Sequence, residues 1–224
     1  MQIGKLVHQI LSVLYALILA LFIVSFSIAV PIYCRPFYYA HVEALDLPSA
    51  SGYSAEQIRV AYDDVLDYLT QTGKPFSVGE MPYSADGAAH FADCKVLFGL
   101  NTVVLTVSAV GLILLWLWRK VGNRPRYRIG RYSAARCAAI AAVLVPLLVA
   151  VLATLNFEEA FAVFHALLFP GKDNWRFSPI ADPIILALPV EFFMNCSLLI
   201  GGCIVMLAAV VFLTDWLLQK KSTM

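Results

Sequence analysis

Two histidines, His90 and His165, each combine a side chain that exchanges protons near neutral pH with a place beside a long apolar run. His90 opens the segment His-Phe-Ala-Asp-Cys-Lys. On a helix Asp93 falls three residues on and shares its face, so a carboxylate is placed to orient the ring or raise its basicity. Lys95 points elsewhere on the wheel. His165 follows Phe164 and precedes Leu167–Phe169, so its ring is expected to be partly dried, which lowers its pKa toward a neutral, basic imidazole. A pair of this kind is equipped for general acid–base work. The competing reading is a hydrogen-bonded structural histidine at a membrane edge, and spacing alone leaves both open. His8 and His41 are assigned no role.

The segment carrying His165, Phe164–Phe193, begins and ends apolar. Its middle holds Lys172, Asp173, Asn174, Trp175, Arg176 and Asp182 among four prolines and Gly171. Asn174 and Asp182 also read as turn residues, given Pro179 and Pro183 nearby. Trp175 and the cluster Tyr33, Phe37, Tyr38 and Tyr39 also read as interface anchors.

The elements that must position these residues are set by hydropathy. The chain has 224 residues, 61% hydrophobic and only 14% charged. Its mean hydropathy is +0.78. Soluble domains carry about a quarter charged residues, so a soluble reading is poor. The pattern predicts an all-α membrane protein of four transmembrane helices with an extracytoplasmic, mostly helical cap. The spans are expected at about 6–33, 96–118, 137–155 and 192–218, each long enough for a hydrocarbon core about 30 Å thick. The first run is too long for a signal-peptide core, and Tyr33 is too large to precede a lipidated cysteine, so it reads as a retained span. The cap comprises 34–95 and 156–191. Within it Ser54 and Gln57 predict a capping box, opening an amphipathic helix through Leu69 that Gly73 and Pro75 end. A second helix is expected to start near Ser84.

Charge orients the chain. Segment 119–136 holds seven positive charges and no acid, and with Lys5, Lys220 and Lys221 it carries ten of the 16 Lys and Arg. Basic residues in short loops stay cytoplasmic. Both termini and the 119–136 loop are therefore expected inside, and the cap outside. Topology accounts for this basic loop without nucleic acid. No repeat, low-complexity tract, CxxC or Cys/His zinc spacing occurs. Cys34 and Cys94 both fall on the outer side, where a disulfide is chemically permitted.

Several short motifs, in order along nearly the whole chain, add a resemblance. These are Leu66-Asp-Tyr-Leu69, His90-Phe-Ala-Asp93-Cys-Lys95 before a span, Phe164-His165, Phe169, Asn174-Trp175, Asp182-Pro183, Leu188-Pro189 and Phe192-Phe193. Together they resemble the four-span bacterial membrane family that includes lipoprotein intramolecular transacylase. The resemblance implies a cap over four membrane helices and catalysis by His90 and His165, with no cofactor or metal. It implies movement of the sn-2 acyl chain of a diacylglyceryl lipoprotein to the amino group of its N-terminal cysteine, giving the lyso form. Membrane lipid and the lipoprotein are the expected partners. In this reading His165 is the base and His90, backed by Asp93, the acid, and the two roles are interchangeable. Lys95, Asn174 or backbone N–H groups stabilise the oxyanion. Trp175 and Tyr33, Tyr38 and Tyr39 shape an aromatic pocket, with Asn174 and Asp182 also lining it. The chain departs from the family pattern at Phe91 and Cys94, where methionine and valine are usual. It departs also at Gly87 and Ser178, where an acid is common.

Two other classes follow from the residues alone: a non-catalytic membrane partner whose cap binds another protein, and a metal-dependent lipid hydrolase using the histidines with Asp93 or Asp182. A transporter fits poorly, because the spans hold no acid or base except His8 and Asp215, each near a cytoplasmic end.

Overall fold

A computed structural model describes the backbone of residues 2–220 and most side chains in that range, leaving aside those of 2–3, 145 and 149–155. Lys221, counted above with the basic terminus, lies outside the described residues. The described chain is almost wholly helical: α1 Gln2–Tyr33, α2 Arg35–Ala44, α3 Leu47–Ser51, α4 Ala55–Thr70, α5 Ala85–Val121, α6 Ala134–Leu155, α7 Phe157–Leu168, α8 Ile184–Ala187 and α9 Val190–Lys220. Three of these helices, α1, α5 and α9, are long and apolar enough to cross a membrane. Helix α6 is apolar and carries Pro146. The helix expected near Ser84 and the span expected from Val96 are one continuous helix, α5. Nothing between Ala85 and Val121 breaks it, since its glycines carry negative φ and it holds no proline.

The chain forms two compact units. One contains α1 up to Ala29, the segment Thr102–Ala150 and α9 from Ile200. In it the basic segment folds into a small hairpin, β1 Arg128–Ile129 and β2 Tyr132–Ser133, with antiparallel register Arg128 to Ser133. Gly130 makes the turn at φ +57°, a conformation costly for other residues. Tyr127 fastens the hairpin: its hydroxyl donates to the Leu115 carbonyl at 2.9 Å and its ring stacks on Tyr15 at 4.9 Å. Asp215, the one acid within the expected spans, pairs with Arg136 at 2.8 Å and accepts from Ser133 at 2.9 Å.

The second unit contains Val30–Asn101 and Val151–Leu199. Its centre is α4, whose Ser54–Gln57 capping box forms as expected. The stripe Ile58, Tyr62, Val65, Leu66 and Leu69 is buried, because these residues recur at 3.6-residue spacing and face one way. Tyr38 stacks on Tyr62 at 3.6 Å, and its hydroxyl donates to the Ala187 carbonyl at 2.7 Å. Arg35 on α2 bridges Asp63 and Asp67 on α4.

A single acid ties the start of α5 to the loop before α8. Asp182, 3% exposed, accepts from the Ser84 amide and the Ser84 hydroxyl, both at 2.8 Å. Ser84 Oγ in turn accepts from the Gly87 amide at 2.9 Å, so the serine caps the helix that carries His90. Asp182 is therefore a buried structural anchor and not a lining residue of a substrate pocket. A Cβ on Gly87 would stand 2.3 Å from Asp182 Oδ1, so in this chain the glycine lets Asp182 reach Ser84. Gly87→Ala should displace Asp182 and lower folding stability by about 2–3 kcal/mol. Thermal unfolding of the purified protein measures this, and an unchanged Tm would refute the anchor.

Candidate active site

Helix α5 carries His90 one and a half turns from its Ser84 cap, and α7 carries His165 in its last turn. The Asn156 side chain caps α7 by accepting from the Glu159 amide at 3.1 Å. The structure brings the two rings together: their centroids lie 5.7 Å apart, with planes 33° from parallel. Both side chains are buried, at 7% and 6% exposure. One small reacting group is within reach of both.

The rings sit in an aromatic cage. Trp175 stacks on His165 at 4.5 Å and 24°, and Phe161 lies 4.2 Å away. Phe169 touches both rings, 5.0 Å from His90 and 5.8 Å from His165. Phe177 stands edge-on to His90 at 5.5 Å and is itself stacked on Phe91. Removal from water disfavours the charged imidazolium. Burial accordingly pushes His90 down to about 4, helped by the nearby His165 and Lys172 and opposed by Asp93. Burial lowers His165 as well, partly offset by its bond to a backbone carbonyl. Both rings are neutral at pH 7.

Hydrogen bonding distinguishes the nitrogens. His165 Nδ1 donates to the Phe161 carbonyl at 2.7 Å, which leaves the lone pair on Nε2. That atom meets no hydrogen-bond partner among the described residues and is free to accept a proton. His90 Nε2 lies 3.4 Å from Cys94 Sγ, and its Nδ1 is buried with no partner. The Cys94 thiol is pushed up to about 12 by burial, so it keeps its hydrogen. With the thiol donating to Nε2 the ring carries its proton on Nδ1 as a donor, and with Nε2 donating to sulfur Nδ1 is a second acceptor; in both tautomers Nδ1 faces the site without a protein partner. His41 makes the contrast plain: its Nδ1 meets the Phe37 carbonyl at 2.7 Å and its Nε2 meets Asn195 Nδ2 at 3.0 Å. It is fully satisfied and structural.

The remaining sequence candidates divide. Asp93 is beside His90, yet its oxygens accept from Lys172 Nζ and, at 3.2 Å, from Asn174 Nδ2. Those donors hold its carboxyl below the usual range. It acts on His90 through charge and pins the 172–174 loop instead of orienting the ring. Asn174 joins the site, with Oδ1 buried and unpartnered. Lys95 does not: five residues from His90, it lies about 140° around the helix. Its ammonium sits over Tyr68 at 4.1 Å and donates to the Gln71 carbonyl at 3.1 Å. Tyr38 is core, Tyr39 is held on Asp63 at 2.7 Å, and Tyr33 ends α1 more than half exposed. The expected tyrosine wall is thus built from phenylalanines. Phe161 was findable, since it precedes His165 by one helical turn, whereas Phe177 arrives by tertiary folding and left no sequence signal. Cys34 and Cys94 are free thiols. Among the described residues no three His, Cys, Asp or Glu side chains converge as a metal ion requires. A cleft of about 440 Å³ is walled by Ala162, Val163, Ala166, Phe169, Lys172, Trp175 and Arg176; Phe169 and Trp175 separate it from the histidine rings, which do not line it.

A family model described as lipoprotein intramolecular transacylase Lit matches residues 13–193. The fold is similar to that of the membrane-integral lipoprotein intramolecular transacylase Lit from Bacillus cereus, with TM-score 0.88 and 23% identity over 98% of this chain and 100% of that one. Two variants of the same Bacillus cereus protein, with one histidine replaced by arginine or by alanine, match at TM-scores 0.82 and 0.83 and 22% identity. The first match covers 99% of this chain and 96% of the other, the second 100% and 99%. No curated protein matches the sequence.

Asp93→Asn should loosen the loop it pins. Hydrogen–deuterium exchange across 170–176 is expected to quicken about fivefold, the worth of one partly exposed ion pair. Unchanged exchange would show that the loop is held by other contacts.

Proposed function

The chain belongs to the lipoprotein intramolecular transacylase family, and from this premise we propose how its own residues carry the reaction. The activity is that of an acyltransferase, moving the sn-2 acyl chain of a diacylglyceryl lipoprotein to the α-amino group of its N-terminal cysteine. The observation that carries the residue assignment is the pair of neutral, facing imidazoles with one acceptor nitrogen and one unpartnered buried nitrogen.

The α-ammonium of a peptide has a pKa of about 7.7–8.0, so near neutrality it must give up a proton before it attacks. That first proton leaves to solvent. The amine nitrogen then bonds to the ester carbonyl carbon while His165 Nε2 takes a second proton from it, and the carbonyl oxygen becomes an oxyanion in a cyclic tetrahedral intermediate. The His90 Nδ1–H supports that oxygen, and in a site this dry a single well-placed donor contributes about 3–4 kcal/mol. The carbon–oxygen bond to glycerol breaks, and the departing oxygen receives the proton held by imidazole. An amide has formed, an ester has been lost and the sn-2 hydroxyl is free; counted from the ammonium, one proton has been released, and counted from the free amine there is no net proton change. Nucleophile and ester belong to one molecule, so the cage need only hold them in register. Proximity of this kind contributes about 7–11 kcal/mol when aligned.

The topology is part of the same proposal: four membrane helices at about 6–33, 96–118, 137–155 and 192–218, the 34–95 and 156–191 segments as an extracytoplasmic cap, and the 119–136 loop inside. Three observations support it. Helix α5 is 37 residues long, about 55 Å at 1.5 Å per residue, so its first turns extend beyond a 30 Å hydrocarbon core. Helix α6 is 22 residues long, about 33 Å, which suffices to cross it. The compact unit of Val30–Asn101 and Val151–Leu199 nearly coincides with the two cap segments.

The test is mass spectrometry of the N-terminal lipopeptide from a bacterium that makes diacylglyceryl lipoproteins and expresses this chain. Wild type is expected to give N-acyl, lyso-glyceryl cysteine. His90→Ala and His165→Ala should each lower its yield by about 10²–10⁴-fold. Conversion that persists in both variants at equal expression would remove the histidines from the chemistry.

A further inference from the structure

The first unit holds an open cavity of about 420 Å³ that the transacylase reading does not use. It lies among α1, α5, α9 and the hairpin segment, with Arg119, Arg126, Tyr15 and Trp116 on its wall. We propose that this cavity binds the anionic headgroup of a membrane phospholipid, with Arg119 and Arg126 on the phosphate and the acyl chains leaving along α5 and α9.

Charge is the first argument. Asp215 also faces the cavity, but it is already neutralised by Arg136 at 2.8 Å and hydrogen-bonded by Ser133 at 2.9 Å and Gln219 at 2.8 Å. Neither Arg119 nor Arg126 forms an ion pair among the described residues. Arg126 donates one N–H, to the Leu218 carbonyl at 3.0 Å, which fixes the guanidinium and leaves its other donors available. Two half-buried guanidiniums with one cavity between them make a site for a phosphate monoanion or diester. Tyr15, stacked on Tyr127, lines the same space.

The walls decide between a free anion and a lipid. Leu19, Leu112, Ile113 and Val211 line the remainder, and Trp116 and Leu218 are about half exposed at its mouth. A soluble phosphate would leave this apolar surface wet. A phospholipid would cover it with hydrocarbon while its phosphate meets the arginines. Basic pockets between membrane helices on the cytoplasmic side hold acidic headgroups in this way, and the seven charges of 119–136 place this segment on that side in the proposed topology.

Delipidated protein in detergent would be titrated with phosphatidylglycerol, phosphatidylcholine or inorganic phosphate, with occupancy read by native mass spectrometry. Phosphatidylglycerol is expected to bind at least about tenfold more tightly than phosphatidylcholine. Arg119→Gln and Arg126→Gln should each weaken it about fivefold, and Arg119→Lys should recover part of the loss. Arg131→Gln, on the exposed hairpin turn outside the cavity, should leave the affinity unchanged. Equal losses in the Arg131 variant, or none in the other two, would overturn the proposal in favour of diffuse surface charge. Displacement of phosphatidylglycerol by equimolar inorganic phosphate would assign the cavity to a free anion instead. The proposal rests on the membrane reading alone, and it stands or falls apart from the histidine chemistry.

Discussion

Two imidazoles kept uncharged inside an aromatic cage are the constraint on which the cap depends. An imidazolium at either position would need water or a carboxylate, and the cage supplies neither at hydrogen-bond distance. Phe161, Phe169, Phe177 and Trp175 exclude the first, and Asp93 is turned toward Lys172 and Asn174. What remains is one lone pair and one unpartnered nitrogen, the two things an amine attacking an ester asks for. The stability devices serve this end. Ser84 and Asp182 fix the start of α5, Asn156 fixes the start of α7, and Asp93 closes the 172–174 loop beneath the rings. Holding polar nitrogens dry and partly unsatisfied is itself unfavourable, which is the usual signature of a site arranged for a ligand.

The elements with strong periodicity were legible from the sequence. The capping box at Ser54 and Gln57, the α4 stripe and the long apolar helices follow from local spacing, and local spacing survives folding. The histidines were legible as a pair through family motifs, and the structure adds their 5.7 Å approach. Roles set by tertiary contacts were not legible. Asp93 sits on the right face of the helix for His90, yet a lysine 79 residues away claims it. Lys95 neighbours the motif in sequence and faces α4 in space. Tyr38 looks like an interface anchor and is the buried partner of Tyr62. In each case the sequence shows the residue's chemistry, while its partner is set by a distant segment.

Departures from the family pattern make sense in the same terms. At Gly87, where an acid is common, a Cβ would stand 2.3 Å from Asp182 Oδ1, so in this chain the glycine lets Asp182 reach Ser84. Phe91 stacks on Phe76 and Phe177, so it braces the His90 side of the cage. Cys94 brings a thiol to His90 Nε2, where valine could offer no hydrogen bond. At these positions the residues around the histidine pair are held by contacts particular to this chain.

The measurement that bears most directly on this account is a ¹⁵N titration of histidine-labelled protein, with ring signals assigned through His90→Gln and His165→Gln. Burial lowers both pKa values, so protonation must shift to lower pH than in an open chain. The account predicts that His90 stays neutral until about pH 4 and that His165 protonates below 6.5. Either ring taking up its proton at or above 6.5 would show that the cage is wet, and the neutral pair would have to be abandoned.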